Sequence, residues 1–134
     1  MSRQQLQWSI FMVEPAAVGG TDHNRRPVVV VSRESANDAL PVVTIVPLAG
    51  FTANRRIYPN ETCLPPEATT LDSPAVLMAH QIRTISKSRL STRLGSIDDP
   101  GLRTAIRTAV RVQLDLDGGS VYPSDSVPGL ESGK

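Results

Sequence analysis

The stretch Gly19-Gly20-Thr21-Asp22-His23-Asn24-Arg25-Arg26 gathers turn-forming residues and hydrogen-bond donors, and it runs directly into Pro27 and the valines Val28 to Val31. Pro27 has a fixed φ and biases the residue before it toward extended geometry, so the Arg26 guanidinium is held where a polar loop becomes a strand. A planar fork of donors fixed at a loop mouth suits a phosphate or a carboxylate, which it grips through two parallel hydrogen bonds. The same residues also fit an ordinary solvated hairpin loop, and Arg25 and Arg26 alone do not decide between the two.

The elements that must position this loop follow from periodicity. Trp8 to Val13 is an apolar run of β-formers stopped by Glu14-Pro15, and it predicts a first strand that pairs with the valine strand as a hairpin. The valines, apolar at consecutive positions, predict a strand buried on both faces. Arg33 to Leu40 reads as a turn or a single helical turn, and Pro41 to Leu48 as a third strand bounded by a proline at each end. Residues 49–70 are irregular, with a short strand around Glu61-Thr62-Cys63-Leu64; a long irregular loop in a small domain is functional or disordered. Ala75 to Ile85 reads as one strand, Ser86 to Leu90 as a turn and Ser91 to Ile97 as a last strand.

Asp99 followed by Pro100 marks a helix start, because an acidic N-cap and a proline at the first helical position both suit the unpaired donors there. Leu102, Ala105, Ile106, Ala109, Val112 and Leu116 recur at helical spacing as an apolar face, with Gly118-Gly119 as the stop. Arg103, Arg107 and Arg111 form a basic stripe that reads as a solvated face. Strands followed by one C-terminal helix imply a small, strongly bent antiparallel sheet or barrel with a helix packed on it.

Composition sets the outer bounds. The 134 residues suffice for one domain with a modest core, and 40% hydrophobic with 20% charged residues is an ordinary globular balance. No apolar run approaches a membrane span and Met1 to Gln5 lacks the apolar core of a signal peptide, so cytoplasmic residence is expected. The single Cys63 excludes an intramolecular disulfide and is expected to pack; with two histidines far apart, no metal site and no cofactor are expected. Residues 1–97 carry ten Lys or Arg against seven Asp or Glu, and residues 98–134 four against six, so a mildly basic body precedes a mildly acidic end. The excess is concentrated in arginine at loops. The expected organisation is an N-terminal extension over 1–7, a domain over 8–117 and a Ser-, Pro- and Gly-rich flexible tail over 118–134.

Three segments together resemble the MazF/PemK family, the endoribonuclease toxins of bacterial toxin–antitoxin pairs. They are the loop and strand from Gly20 to Ser32 with Arg26-Pro27, the strand Val43-Thr44-Ile45-Val46-Pro47-Leu48, and Gln81-Ile82-Arg83-Thr84-Ile85-Ser86-Lys87-Ser88-Arg89-Leu90 followed by Gly95 and the amphipathic helix. The resemblance spans residues 8 to 116 and implies an SH3-like small barrel of antiparallel strands with a C-terminal helix packed on it. It further implies a homodimer whose groove binds single-stranded RNA, cleaved without metal by attack of its own 2′-hydroxyl to leave a cyclic phosphate. The implied partner is an antitoxin whose flexible acidic tail lies across the groove. Arg26 falls on the family's catalytic arginine, and a fixed cation is what a transition state gathering negative charge on phosphate requires.

At two positions the chain departs from the family pattern. The catalytic Thr or Ser usually found two residues after the proline of the third strand is Ala49 here, with Thr52 three residues on; the loop's customary Glu has Asp22 as its nearest equivalent. His23, with a side chain that titrates near neutrality, is a candidate general base toward the 2′-hydroxyl, or else an exposed loop histidine. Asn24, Arg25, Arg55, Arg56, Gln81 and Arg83 are candidates for holding bases and phosphates, His80 reads as a core-edge or groove residue, and Phe51 and Tyr58 are the loop aromatics available for stacking. Two other readings stay on the same fold: a member that lost cleavage through Ala49 and binds RNA or antitoxin only, and a gyrase-poison-like toxin acting through its helix end, which the Arg26-Pro27 pair disfavours. A generic peptide-binding module would need an aromatic groove that 4% aromatic residues hardly supply.

Overall fold

The computed structural model describes residues 4–14 and 26–118. Its strands are β1 (Ser9–Val13), β2 (Arg26–Val30), β3 (Val42–Gly50), β4 (Glu61–Leu64), β5 (Ala75–Met78), β6 (Arg83–Ser86) and β7 (Leu90–Ser96); its α-helices are α1 (Glu34–Ala39) and α2 (Pro100–Leu114). The pairings are antiparallel in the order β4-β5-β3-β2-β1-β7, with β6 beside the first half of β3. The end strands β4 and β7 do not bond to each other, so the sheet is barrel-like without closing into a ring. Among the described residues no helix is long and apolar enough to cross a membrane.

β1 and β2 form the expected hairpin, with Val13 level with Arg26 and Ile10 level with Val29. Successive strand residues point to opposite faces, and β2 is covered on both. Val29 joins Ile10, Val46, Leu48, Leu77 and the α2 residues Ile106 and Ala109, whereas Val28 and Val30 join Phe11, Val13, Val43, Ile45 and Ile85. Two covered faces are the reason that the valines run without a polar interruption.

β3 does not stop at Pro47 as expected but continues to Gly50. Val31 N–H donates to the Thr44 carbonyl at 3.0 Å, and the alternation of an antiparallel ladder then turns the Pro47 nitrogen away from β2, toward the opposite edge. That edge is also where the expected single strand from Ala75 to Ile85 breaks. β5 pairs Leu77 with Leu48 and β6 pairs Arg83 with Ile45, so five residues face only Val46 and Pro47. The surplus is taken up by the 3-10 turn Ala79–Gln81. A proline without an N–H sits where the ladder has no acceptor to offer, so the two departures have one cause.

α2 starts as expected: Asp99 Oδ2 accepts from Leu102 N–H at 2.9 Å and Pro100 opens the first turn. It ends at Leu114 rather than at Gly118-Gly119, because Asp115 adopts the left-handed conformation with φ 55° and the Leu116 N–H turns back to the Arg111 carbonyl. Leu116, expected on the apolar face, therefore lies outside the helix and is 62% exposed. The basic stripe is not simply solvated. Arg103 and Arg107 place their guanidinium carbons 5.4 and 5.1 Å from the Trp8 ring centroid. Trp8 is buried and takes a left-handed φ of 72°, its N–H donating to Val30 O and its carbonyl accepting from Ile97 N–H. Such a backbone costs on the order of 1–3 kcal/mol; burial of the indole beneath two cations offsets it.

The start of the domain is held by side-chain bonds. The Glu34 carboxylate accepts from the backbone N–H groups of Leu6 and Gln7, and buried Asn37 donates to the Ser32 carbonyl. On β7, a Cβ at Gly95 would lie 2.5 Å from the Thr69 carbonyl oxygen, so only glycine permits this approach.

Candidate active site

Arg26 is the first residue of β2 and shares the face of Val28 and Val30. On β3 the same face carries Val43, Ile45 and, by alternation, Pro47 and Ala49. Continuing the register from Val28↔Pro47 by two residues brings Arg26 level with Ala49. Ala49 in turn is paired with Val76 of β5, and Val76 with Cys63 of β4. On the other side Arg26 is paired with Val13, and Val13 with Leu90 of β7. Two runs of paired residues, Leu90–Val13–Arg26 and Ala49–Val76–Cys63, thus line up as one row when the β2–β3 register is extended two residues past its last pair, and Arg26 is the only charged member of that row. Arg26 is half-buried, and a charge at a partly buried position is less screened than one in bulk water.

The hydroxyl expected beside Arg26 is absent from this row, since position 49 is alanine. Thr52 lies past the strand end in a turn, exposed, with its carbonyl accepting from Arg55 N–H at 3.0 Å. Arg83 begins β6 level with Ile45, which places it on the Arg26 face, and it is exposed. His80 and Gln81 are carried outward by the 3-10 turn that interrupts the ladder, with the Gln81 Nε2 3.4 Å from the His80 Nε2. Asp22, His23, Asn24 and Arg25 lie outside the described residues.

Arg55 is placed differently from the expectation of a free phosphate ligand. Its Nη1 and Nη2 donate to the two carboxylate oxygens of Glu61 at 2.9 and 2.6 Å, and Nη1 also donates to the Arg56 carbonyl. Glu61 is buried at the start of β4 and additionally accepts from Tyr58 N–H at 3.1 Å. The Arg55 hydrogen bonds, followed by that of Tyr58 and by the charges of Arg55 and His80, hold the Glu61 carboxyl below the usual carboxylate range against the opposing effect of burial. Arg55 is shifted the opposite way, upward, chiefly by the same hydrogen bond. Arg56 is exposed, its guanidinium carbon 5.9 Å from the Tyr58 ring centroid. Sequence reasoning placed Glu61 only on a short strand; the signal for the pair was an arginine at the far end of a Pro-bounded loop from a carboxylate on a strand.

A separate cleft of about 660 Å³ between residues 65–70 and 93–102 is lined by Glu67, Asp98 and Asp99 as well as Arg93, and it contains no member of the Arg26 row. Its mixed charges give an anion no advantage, so the row is the stronger candidate.

A bent, barrel-like antiparallel sheet with a C-terminal helix packed on it defines the class of small β-rich domain to which the chain belongs. The chain belongs to the PemK-like, MazF-like toxin family of type II toxin–antitoxin systems, whose model matches residues 6–114. It is 31% identical over 121 residues to the endoribonuclease MazF9 of Mycobacterium tuberculosis, covering 87% of this chain and 98% of that one. It is 25% identical over 108 residues to the endoribonuclease MazF of Staphylococcus saprophyticus, covering 80% and 88%. Among solved structures, a mycobacterial endoribonuclease in complex with its cognate antitoxin superposes with a TM-score of 0.68 at 22% identity, covering 90% of this chain and all of that one. At that identity the superposition speaks for the fold.

Proposed function

We propose that this protein is a cytoplasmic endoribonuclease toxin that cuts single-stranded RNA at selected sequences without a metal and is neutralised by a cognate antitoxin. The observation that carries this reading is the placement of Arg26, one cation fixed in an otherwise apolar row of the sheet. Family membership and the two endoribonuclease relatives support it. In the proposed reaction the 2′-oxygen of one nucleotide attacks the adjacent phosphorus and the bond from phosphorus to the 5′-oxygen breaks. The products are a 2′,3′-cyclic phosphate and a 5′-hydroxyl. Arg26 donates to the non-bridging oxygens as their charge grows. His23 takes the 2′-hydroxyl proton, a task suited to a group titrating near neutrality. Thr52 supplies the hydroxyl that position 49 lacks, and Asp22 fills the place of the loop carboxylate. Asn24, Arg25, Arg56, Gln81 and Arg83 hold bases and backbone, while Arg55 serves the site through Glu61. Two copies of the chain form the groove, and the acidic tail of the antitoxin competes with RNA for it.

The absence of a hydroxyl at Ala49 favours a second reading, in which RNA or antitoxin is bound without cleavage. Incubation of the purified protein with a long single-stranded RNA in EDTA, followed by primer extension, separates the two. Discrete cuts with 5′-hydroxyl ends that vanish in Arg26→Ala are expected, with DNA left intact for want of a 2′-hydroxyl. Intact RNA with folded, antitoxin-free protein establishes the second reading.

A further inference from the structure

The segment from Phe51 to Asn60 has no strand or helix of its own, yet it is tied down by a buried carboxylate. Glu61 holds its middle through Arg55 and its end through Tyr58 N–H, and the Tyr58 carbonyl accepts from Glu61 N–H at 2.8 Å. A buried ion pair is a weak device for stability, because the desolvation of both partners offsets their attraction, and an apolar pair of similar volume often serves as well. Its effect here is geometric. The pair fixes a loop whose tip is turned to solvent: Arg56, Ile57 and Pro59 are exposed and Tyr58 is half-buried. An arginine stacked beside a tyrosine on a rigid loop is an arrangement that accepts a flat π-system on the remaining ring surface.

The location fits the same ligand as Arg26. Glu61 follows Tyr58 closely and is paired with Met78, two residues along β5 from the Val76 of the Arg26 row. Three strand spacings separate β4 from β2, roughly 15 Å, a distance an extended single strand spans in a few nucleotides. We propose that Tyr58, flanked by Arg56 and positioned by the Arg55–Glu61 clamp, is a stacking platform for an unpaired nucleobase a few nucleotides from the phosphate at Arg26. The inference rests on the RNA reading above and adds to it a base-binding subsite at the β3–β4 loop.

The test uses short, fluorescein-labelled homopolymeric 2′-O-methyl oligonucleotides, which bind without being cut, read by anisotropy against the full-length protein. Stacking contributes on the order of 1–3 kcal/mol per base, so Tyr58→Ala and Tyr58→Leu are expected to weaken binding roughly ten-fold or more, and Tyr58→Phe to retain it. Glu61→Gln, which leaves the ring in place but loosens the loop, is expected to weaken binding in the same direction while circular dichroism remains that of the wild type. In an oligonucleotide carrying 2-aminopurine, wild type and Tyr58→Phe are expected to quench the probe at one position and Tyr58→Leu not to. Wild-type affinity and quenching in both Tyr58→Ala and Tyr58→Leu overturns the platform alone. A wild-type protein that binds none of the oligonucleotides and cuts no RNA overturns the RNA reading, and the platform with it.

Discussion

Restoring a hydroxyl at position 49 tests the geometry of the Arg26 row directly. In antiparallel pairs, level residues on one face have Cβ atoms about 4.5–5.5 Å apart, so a threonine hydroxyl at 49 and the Arg26 guanidinium can reach two oxygens of one phosphate. Removal of a single donor from a site of this kind costs roughly 10²–10³ in rate, or about 2.7–4 kcal/mol. Position 49 is half-buried rather than enclosed, which favours the lower end, so in a Thr52→Ala background, where the proposed substitute hydroxyl is gone, Ala49→Thr is expected to speed cleavage about 100-fold. Ala49→Val is the control, since valine has the shape of threonine without the hydroxyl and makes the same demands on neighbouring Val76. The assay is single-turnover cleavage of an oligonucleotide spanning a mapped cut, with urea midpoints to show that both variants fold. The gain should disappear in an Arg26→Ala background, because hydroxyl and guanidinium act on the same phosphate. Equal rates for Ala49→Thr and Ala49→Val in the Thr52→Ala background would sink the assignment of this row as the reaction centre.

Two further outcomes follow from the packing. Trp8→Ala removes the ring over which Arg103 and Arg107 stack and should cost about 3–5 kcal/mol, measured by urea unfolding followed by far-ultraviolet circular dichroism; a loss under 1 kcal/mol would show that α2 docks without the stack. For Glu61 the folded carboxyl titrates below its ordinary value of 4.5, so in the interval beneath 4.5 the unfolded chain binds more protons than the folded one. Its stabilising contribution is therefore complete above about pH 4.5 and is lost as pH falls through the folded value. Glu61→Gln should flatten the fall in urea midpoint below pH 4.5, and an unchanged slope would remove the ion pair as its cause.

Much of the fold was legible because it is written in local chemistry. The valine run, the Asp99-Pro100 cap and the helical spacing of Ile106 and Ala109 each depend on neighbours a few residues away. Two of the misreadings involve partners distant in sequence. Pro47 looks like a strand end until the opposite edge is known to be interrupted by residues 79–81. Arg103 and Arg107 look solvated until Trp8, some ninety-five residues earlier, is seen beneath them. Asp115 stops the helix ahead of the expected glycines because an aspartate tolerates a left-handed backbone, a choice that composition does not announce.

For the site the division is similar. Sequence alone singled out Arg26 as the candidate cation at a strand start, since Pro27 after Arg26 and valines after Pro27 act through the backbone of their own strand. It also exposed the missing hydroxyl at Ala49, which the family pattern makes visible. Only the tertiary structure decided that Arg26 is the sole charge in its row, because register across β7, β1, β2, β3, β5 and β4 is set by pairing between segments as far apart as Val13 and Leu90. It alone gave Arg55 to Glu61 instead of leaving it open to a ligand, since a guanidinium takes whichever carboxylate the folded chain brings within 3 Å of it.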